Sequence, residues 1–326
     1  MGWVGQGCSF GTSLAVGTGV STIGLSGSPV SRLKMNGHHT LPLVATALIV
    51  GLFYPFFEGI VWNKNFGLQE FFFKAKLGEE FHDFAGSTLV HSVGGWGALA
   101  GILNLGPRLG KYVNGSIRPI LGHNISLATI GTFLLWFGWY GFNGGSVLSA
   151  DPGMVSLVFV TTSLGAAAGM MGAMLTTWTV HKHPDLSMVL NGTLAGLVGI
   201  TAGADAVSPM SSVIIGGVAG VMVVFAVMLF DRLRLDDPVG ATSVHLVCGV
   251  WGTLAVGIFS PDYSFMTQLI GVGAYGVTSF ASAYVILMAI KAVMGLRISE
   301  EDERRGLDLS EHNMEGYPDF TVFTAR

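Results

Sequence analysis

Two histidines, His91 and His245, occupy equivalent positions in two similar segments of the chain. Residues 83–95 match residues 237–249 at a constant offset of 154, without a gap. Seven of the thirteen aligned positions are identical: Asp83, Gly86, Thr88, Val90, His91, Val93 and Gly95 pair with Asp237, Gly240, Thr242, Val244, His245, Val247 and Gly249. A match of this extent indicates an internal duplication.

The chemistry open to the two histidines depends on their depth in the molecule. Each follows an aspartate by eight residues, or about 12 Å along a helix at about 1.5 Å per residue. If the aspartates mark the mouths of two membrane spans, both imidazoles lie near mid-membrane, where an ionisable side chain indicates function by default. A neutral imidazole donates and accepts hydrogen bonds, so a facing pair could bind a small polar molecule or pass a proton. The alternative is that each histidine is a hydrogen-bond partner for a neighbouring helix.

The composition indicates that a lipid bilayer surrounds the chain. Half of the 326 residues are hydrophobic, 11% are charged and the mean hydropathy is +0.60. Apolar stretches of about 20 residues, enough to cross a membrane as a helix, predict about nine spans, at 8–30, 42–62, 84–106, 123–147, 153–180, 188–203, 209–230, 239–260 and 266–294. The predicted fold is therefore an all-α, polytopic membrane helix bundle. The two copies lie on the third and eighth spans, five apart, and so run in opposite directions, as in inverted-repeat transporters with a site near the midplane.

Several other classes of function are disfavoured by the sequence. The two cysteines, Cys8 and Cys248, are far apart, so neither a disulfide framework nor a metal-ligand spacing is visible. The net charge of −4 does not indicate a basic surface of the kind that binds nucleic acid. No nucleophile, carboxylate pair or metal set stands out, so we expect no enzyme activity, no cofactor and no bound metal.

Lysine and arginine predict the orientation of the spans. With nine spans, only Lys64, Lys74 and Lys76 fall on one side of the membrane. The other side carries thirteen basic residues: Arg32, Lys34, Arg108, Lys111, Arg118, Lys182, Arg232, Arg234, Lys291, Arg297, Arg304, Arg305 and Arg326. The positive-inside rule places the richer side in the cytoplasm. We therefore expect a multi-pass protein of a plasma or bacterial inner membrane, with the N-terminus outside and the C-terminus inside.

Several motifs, in a consistent order, carry a family resemblance. They are DFAGSTLVH at 83–91, LWFGWYGFNGGS at 135–146, LNGTLAGLVGITAG at 190–203, DDPVGATSVH at 236–245, and GLRISEE at 295–301 followed by GLDLSEH at 306–312. Together they resemble the Amt branch of the ammonium transporter and Rhesus family, over almost the whole chain and most weakly before residue 40.

The resemblance implies a fold and an assembly. The family has eleven helices, of which the first ten form two inverted five-helix halves, and it assembles as a trimer with one pore per subunit. On this basis residues 1–295 are the transmembrane transporter domain and 296–326 a cytoplasmic regulatory tail, which could contact a PII-type signalling protein. Two further helices are expected before residue 1.

The resemblance also assigns roles to particular side chains. The twin pore histidines correspond to His91 and His245. The outer ammonium site corresponds to Trp62, Phe142 and Ser146 with Trp139 beside it, and Asp83 orders the site without touching the substrate. Phe142 also matches one of two stacked aromatic rings that close the pore from outside. The second ring should fall near Gly17, where no aromatic residue stands.

Three readings of function remain open. The first is transport of ammonium or ammonia through a hydrophobic pore, with the transported species undetermined. The second is an ammonium sensor that uses the same site. The third is a non-conducting fragment, since two helices are expected to be missing. Without the resemblance, Trp62 and Trp139 read as interfacial or packing residues, Phe142 as core, Ser146 as bonded to a backbone carbonyl and Asp83 as a helix cap.

Overall fold

Long apolar helices make up most of the residues that the structure describes. The computed structural model describes residues 77–122, 124–310 and 313–315, together with Gln69, Phe73 and Lys74. In chain order the helices are α1 (Val93–Leu105), α2 (Ile125–Gly145), α3 (Pro152–His181), α4 (Leu186–Thr201), α5 (Pro209–Arg232), α6 (Cys248–Phe259), α7 (Phe265–Met294), α8 (Glu300–Arg305) and α9 (Leu307–Ser310). A short hairpin of β1 (Tyr112–Val113) and β2 (Ser116–Ile117) follows α1.

From residue 80 to residue 310, two segments of wider, π-helical winding interrupt this pattern. The first π segment, Ser87–Ser92, runs directly into α1, and the second π segment, Thr242–Val247, runs directly into α6. Each carries one of the two histidines, His91 or His245. The sequence predicted helices here but not this departure from α-helical winding.

The predicted spans agree closely with the helices in the described part of the chain. Seven of the nine predicted spans fall there, and each coincides with one helix or with a π segment plus its helix, which confirms the helical membrane bundle. Among the described residues, five helices are long and apolar enough to cross a membrane: α2, α3, α5, α7 and the continuous stretch Thr242–Phe259. Helix α4 has only 16 residues. The predicted spans 8–30 and 42–62, with Gly17 and Trp62, lie outside the described residues.

Local sequence explains where the spans begin. Asn124, Asp151, Asp185, Ser208 and Ser264 each precede a helix, and each side chain accepts a hydrogen bond from an N–H of the first turn. Such caps satisfy N–H groups that have no partner inside the helix. Proline follows the cap at the start of α3 and α5, where its missing N–H costs nothing.

Glycines bring three helices into close contact. A Cβ on Gly216 or Gly220 of α5 would fall onto the backbone of Gly165 or Gly169 of α3, and a Cβ on Gly196 of α4 would also meet Gly165. Small residues four apart allow this approach in lipid, where packing and polar contacts drive helix association. Helices α3, α4 and α5 thus form a tight layer beside the repeat.

The two copies of the repeat pack against each other with near two-fold symmetry. A Cβ on Gly95 of α1 would collide with the backbone of Leu246 in the second π segment. A Cβ on Gly249 of α6 would collide with the first π segment at Ser87 and Ser92. Since Gly95 and Gly249 are equivalent positions, and so are Ser92 and Leu246, the two contacts are related by the symmetry of the repeat. The identical glycines of the repeat therefore mark its crossing point.

Candidate functional site

The first π segment is held in place by a buried carboxylate. Asp83 accepts hydrogen bonds at Oδ1 from the N–H groups of Gly86 (3.2 Å) and Ser87 (2.8 Å), and at Oδ2 from those of Thr88 and Leu89 (both 2.8 Å). Gly86 has a φ of 108°, a left-handed conformation that suits glycine and lets the chain turn back over the carboxylate. Burial raises the pKa of Asp83 to about 6, while these N–H groups favour the charged form. The carboxylate thus fixes the segment that carries His91.

Asp237 does the same for the second π segment with fewer donors. Its Oδ1 accepts from the N–H of Thr242 (3.2 Å), and its Oδ2 accepts from the N–H and the hydroxyl of Ser243 (2.9 and 3.0 Å). Gly240 again has a positive φ, 73°. Burial raises the pKa of Asp237 as well. The duplicated sequence Asp-x-x-Gly-x-Thr therefore forms the same aspartate-capped turn in both copies.

The two histidine rings stack face to face where the two halves meet. Their centroids are 5.3 Å apart and their planes are inclined by 18°. Both side chains are buried, at 0% exposure for His91 and 9% for His245. Within the described part of the chain, neither ring nitrogen of His91 nor Nδ1 of His245 has a hydrogen-bond partner. Buried polar atoms normally find partners, and among the described residues these imidazole nitrogens remain available to hydrogen-bond a small polar molecule.

Two aromatic residues of α2 enclose His91. The Trp139 ring lies parallel to His91, with centroids 5.0 Å apart and an inclination of 17°. Phe142 meets His91 edge to face at 5.9 Å and meets Trp139 in the same way at 6.0 Å. Trp139 and Phe142 are both nearly fully buried. Together Trp139, Phe142, His91 and His245 form an aromatic pocket in which Trp139, His91 and His245 make a continuous stack.

Ser146 lies one helical turn beyond Phe142, at the C-terminal end of α2. Its hydroxyl donates to the Phe142 carbonyl (2.9 Å), which leaves the oxygen lone pairs able to accept. The backbone-carbonyl contact raised from the sequence is therefore present, and it is compatible with an acceptor role. Trp62, the remaining member of the expected outer site, lies outside the described residues.

Sequence reasoning missed the contribution of the end of α4. Thr201 accepts a hydrogen bond from the Trp139 indole N–H (2.9 Å), and Ser87 of the first π segment bonds to the backbone of Val198 and Ala202. The motif at 190–203 carries the family resemblance, but it assigns no role to Thr201. No periodicity or spacing could have revealed this role, because the partners are 62 and 115 residues away.

The described residues contain no group of three or more His, Cys, Asp or Glu side chains that could hold a metal ion. The pocket is instead aromatic, with uncharged polar atoms and two imidazoles. Such a pocket suits a small solute that loses its water, donates N–H groups and interacts with aromatic faces.

Comparisons with known proteins agree with the geometry. Residues 24–317 match the model of the Ammonium Transporter Family. Ammonium transporter Amt2 of Archaeoglobus fulgidus is 41% identical over 319 residues, covering 91% of this chain and 67% of the relative. A putative ammonium transporter of Synechocystis is 40% identical, covering 88% and 64%. The chain thus spans about two thirds of the length of these curated relatives.

Solved structures of Amt and Mep proteins are also similar to this chain. A structure described as a sensor Amt protein superposes with a TM-score of 0.82 at 36% identity, covering 90% of this chain and 74% of that one. Candida albicans Mep2 superposes with a TM-score of 0.75 at 29% identity, covering 87% and 64%. The fold, the repeat and the matching sequences together show that this chain belongs to the ammonium transporter family, a family of membrane-spanning transporters.

Proposed function

We propose that this protein conducts ammonium or ammonia across a membrane through a hydrophobic pore lined by His91 and His245. The observation that carries the proposal is the stacked, buried pair of imidazoles where the two repeat segments meet. A membrane interior tolerates such groups where they face a pathway or one another. Family membership supplies the substrate, since the relatives are named ammonium transporters.

Binding at the outer side rests on aromatic faces and a hydroxyl. Trp62 and Phe142, with Trp139 beside them, offset part of the lost hydration of an ammonium ion through cation–π contacts of about 0.5 to 2 kcal/mol each. Ser146 supplies a hydrogen-bond acceptor. Since K⁺ also satisfies cation–π contacts but donates no hydrogen bond, directed acceptors favour ammonium. Asp83 contributes by ordering the first π segment.

Passage through the middle of the pore favours the neutral molecule. Ammonium gives up one proton at the outer end, its N–H bond breaks, and ammonia crosses the apolar region. The proton passes along the His91–His245 pair and rejoins ammonia on the far side, so charge and atoms balance. Each imidazole can accept at one nitrogen and donate from the other.

The loop charges and the family membership support a proposed arrangement in the cell. We place the N-terminus outside and the C-terminus in the cytoplasm of a plasma or bacterial inner membrane, with subunits assembled as a homotrimer. Residues 1–295 form the transport domain. The described part of the tail packs on the loop after α1, where Glu303 accepts from the Leu109 N–H (2.9 Å) and Arg297 donates to the Leu105 carbonyl (3.0 Å). That contact supports a regulatory role for residues 296–326, and the family resemblance is the ground for proposing a PII-type protein as their partner.

Electrogenic uptake into proteoliposomes tests the proposal. We expect His91→Ala and His245→Ala each to reduce ammonium-specific flux by at least about tenfold, the effect of a barrier increase of about 1.4 kcal/mol. His183→Ala is the matched control, since His183 lies exposed in the loop after α3. Unchanged flux in both pore variants, at equal amounts of folded protein, would rule out the role of the pair.

A second candidate function, ammonium sensing, is favoured by the similarity to a structure described as a sensor Amt protein. A sensor would use the same pocket for binding without significant turnover. Tryptophan fluorescence titration with ammonium, measured beside flux, separates the two: binding with negligible flux in the wild type favours the sensor.

A further inference from the structure

The C-terminal end of α4 contacts the aromatic pocket through one hydroxyl. Thr201 Oγ1 accepts from the Trp139 indole N–H (2.9 Å) and donates to the Leu197 carbonyl (2.7 Å). Thr201 is fully buried and Trp139 is 7% exposed. The hydroxyl therefore uses its single donor and satisfies a buried N–H that has little access to water.

This hydrogen bond lies at one end of the ring stack. Trp139 is parallel to His91, and His91 is parallel to His245, within 18° in both cases. A stack leaves the indole free to slide or rotate in its own plane unless a directional contact fixes it. The hydrogen bond to Thr201 is such a contact.

The same turn of α4 also holds the segment that carries His91. The carbonyls of Thr201 and Ala202 accept from the N–H groups of Ala85 (3.1 Å) and Phe84 (3.0 Å). Ser87 Oγ donates to the Val198 carbonyl and accepts from the Ala202 N–H, both at 2.7 Å. The C-terminal end of α4 thus holds both Trp139 and the first π segment in place, although they belong to different parts of the sequence.

We propose that Thr201 is a positioning residue of the pore: its hydroxyl fixes Trp139 flat against His91 and so keeps that side of the histidine pair closed to water and hydrated cations. The proposal rests on the function proposed above. The loss of the hydroxyl would leave the indole N–H without a partner in a buried site, which favours a reoriented ring. A displaced Trp139 opens a face of His91 and weakens discrimination between ammonium and K⁺.

The ordinary role of threonine in these helices provides the control. Thr193, also buried on α4, donates to the Val189 carbonyl four residues earlier (3.1 Å), the same intrahelical bond that Thr201 makes to Leu197. Thr193 makes no bond to Trp139, whose N–H goes to Thr201. Thr193→Val therefore reports the cost of removing such a hydroxyl without the ring contact.

The experiment measures ammonium and K⁺ flux in proteoliposomes for Thr201→Val, Thr201→Ser and Thr193→Val. We expect Thr201→Val to lower the ratio of ammonium to K⁺ flux by about tenfold, equivalent to about 1.4 kcal/mol. Thr201→Ser, which keeps the hydroxyl, and Thr193→Val should stay within about twofold of the wild type, a change of under about 0.5 kcal/mol. A Thr201→Val ratio equal to that of Thr193→Val would overturn the proposal.

A double-mutant cycle with Trp139→Phe gives a second, independent test of the proposal. Trp139→Phe removes the indole N–H, so Thr201→Val added to Trp139→Phe should change the flux ratio no further if Thr201 acts through that group. Additive losses would contradict the proposal. A wild-type protein without ammonium flux would instead refute the proposed function and this inference with it, whereas normal wild-type flux with equivalent Thr201 and Thr193 variants refutes the inference alone.

Discussion

The two copies of the repeat share their centre and differ at their edges. In both, an aspartate caps a π segment, a glycine with positive φ turns the chain, and a histidine enters the shared stack. The contacts that attach each copy to the rest of the protein differ. Ser87 ties the first copy to α4, whereas Ala241 stands at the equivalent position of the second.

The residue before each capping aspartate shows the difference most clearly. In the first copy it is His82, which contacts Asp205 (3.2 Å) and stacks on Tyr263, and both members of the His82–Asp205 pair are partly exposed. In the second it is Asp236, fully buried in a two-pronged pair with Arg108 at 2.9 Å. The rings and glycines at the crossing must fit each other, while the surrounding contacts could diverge with their neighbours. The comparison teaches that symmetry is retained where the copies touch.

The largest expected effect comes from the capping aspartates. Asp83→Ala leaves four N–H groups without their acceptor. Because an unsatisfied buried donor costs roughly 1–3 kcal/mol, we expect this variant to lower the free energy of unfolding by about 4 kcal/mol. Asp237→Ala should lower it by about 2 kcal/mol. Chemical unfolding in detergent measures both. Asp151→Ala, which removes an exposed cap on α3, should cost about 1 kcal/mol. Equal losses at Asp83 and Asp237 would show that the donor count does not distinguish the copies.

The second prediction compares the stability contributed by the pair that precedes each capping aspartate, Asp236 with Arg108 and His82 with Asp205. Asp236→Ala removes a fully buried carboxylate that accepts from the backbone N–H and the guanidinium of the partly exposed Arg108, and it should cost about 3 kcal/mol. His82→Ala should cost about 1 kcal/mol. Thermal unfolding midpoints give the order of the two. Glu300→Gln, in an exposed pair with Arg304 on α8, should be nearly neutral. A larger loss for His82→Ala than for Asp236→Ala would reverse our account of these two pairs.

The smallest effect tests the symmetry itself. Gly95→Ala and Gly249→Ala each place a Cβ onto the backbone of the opposite copy, and we expect similar losses of about 2 kcal/mol, as overpacking usually costs. Gly217→Ala on α5, where a Cβ meets nothing within 4 Å, is the control and should be neutral or slightly stabilising. Strongly unequal losses at Gly95 and Gly249 would break the symmetry argument.

Much of this architecture could be predicted from the sequence, because apolar length is a local property. The predicted span 153–180 corresponds to Pro152–His181, and 209–230 corresponds to Pro209–Arg232. The π winding could not be predicted, since it depends on how Asp83 and Asp237 gather N–H groups from the following turn. The roles assigned to Trp62, Phe142 and Ser146 came from family resemblance and stay predictions.

The sequence by itself determined that this chain crosses a membrane and contains a duplicated Asp–Gly–His element, because hydropathy and identity at a fixed offset require no folded partner. Only the tertiary structure decided that His91 and His245 stack at 5.3 Å, and that Thr201 holds the tryptophan beside them. These contacts join residues more than 60 positions apart, and their geometry depends on how the helices pack. A hydrogen bond or a ring contact depends on distances of a few ångströms, which spacing along the chain does not encode.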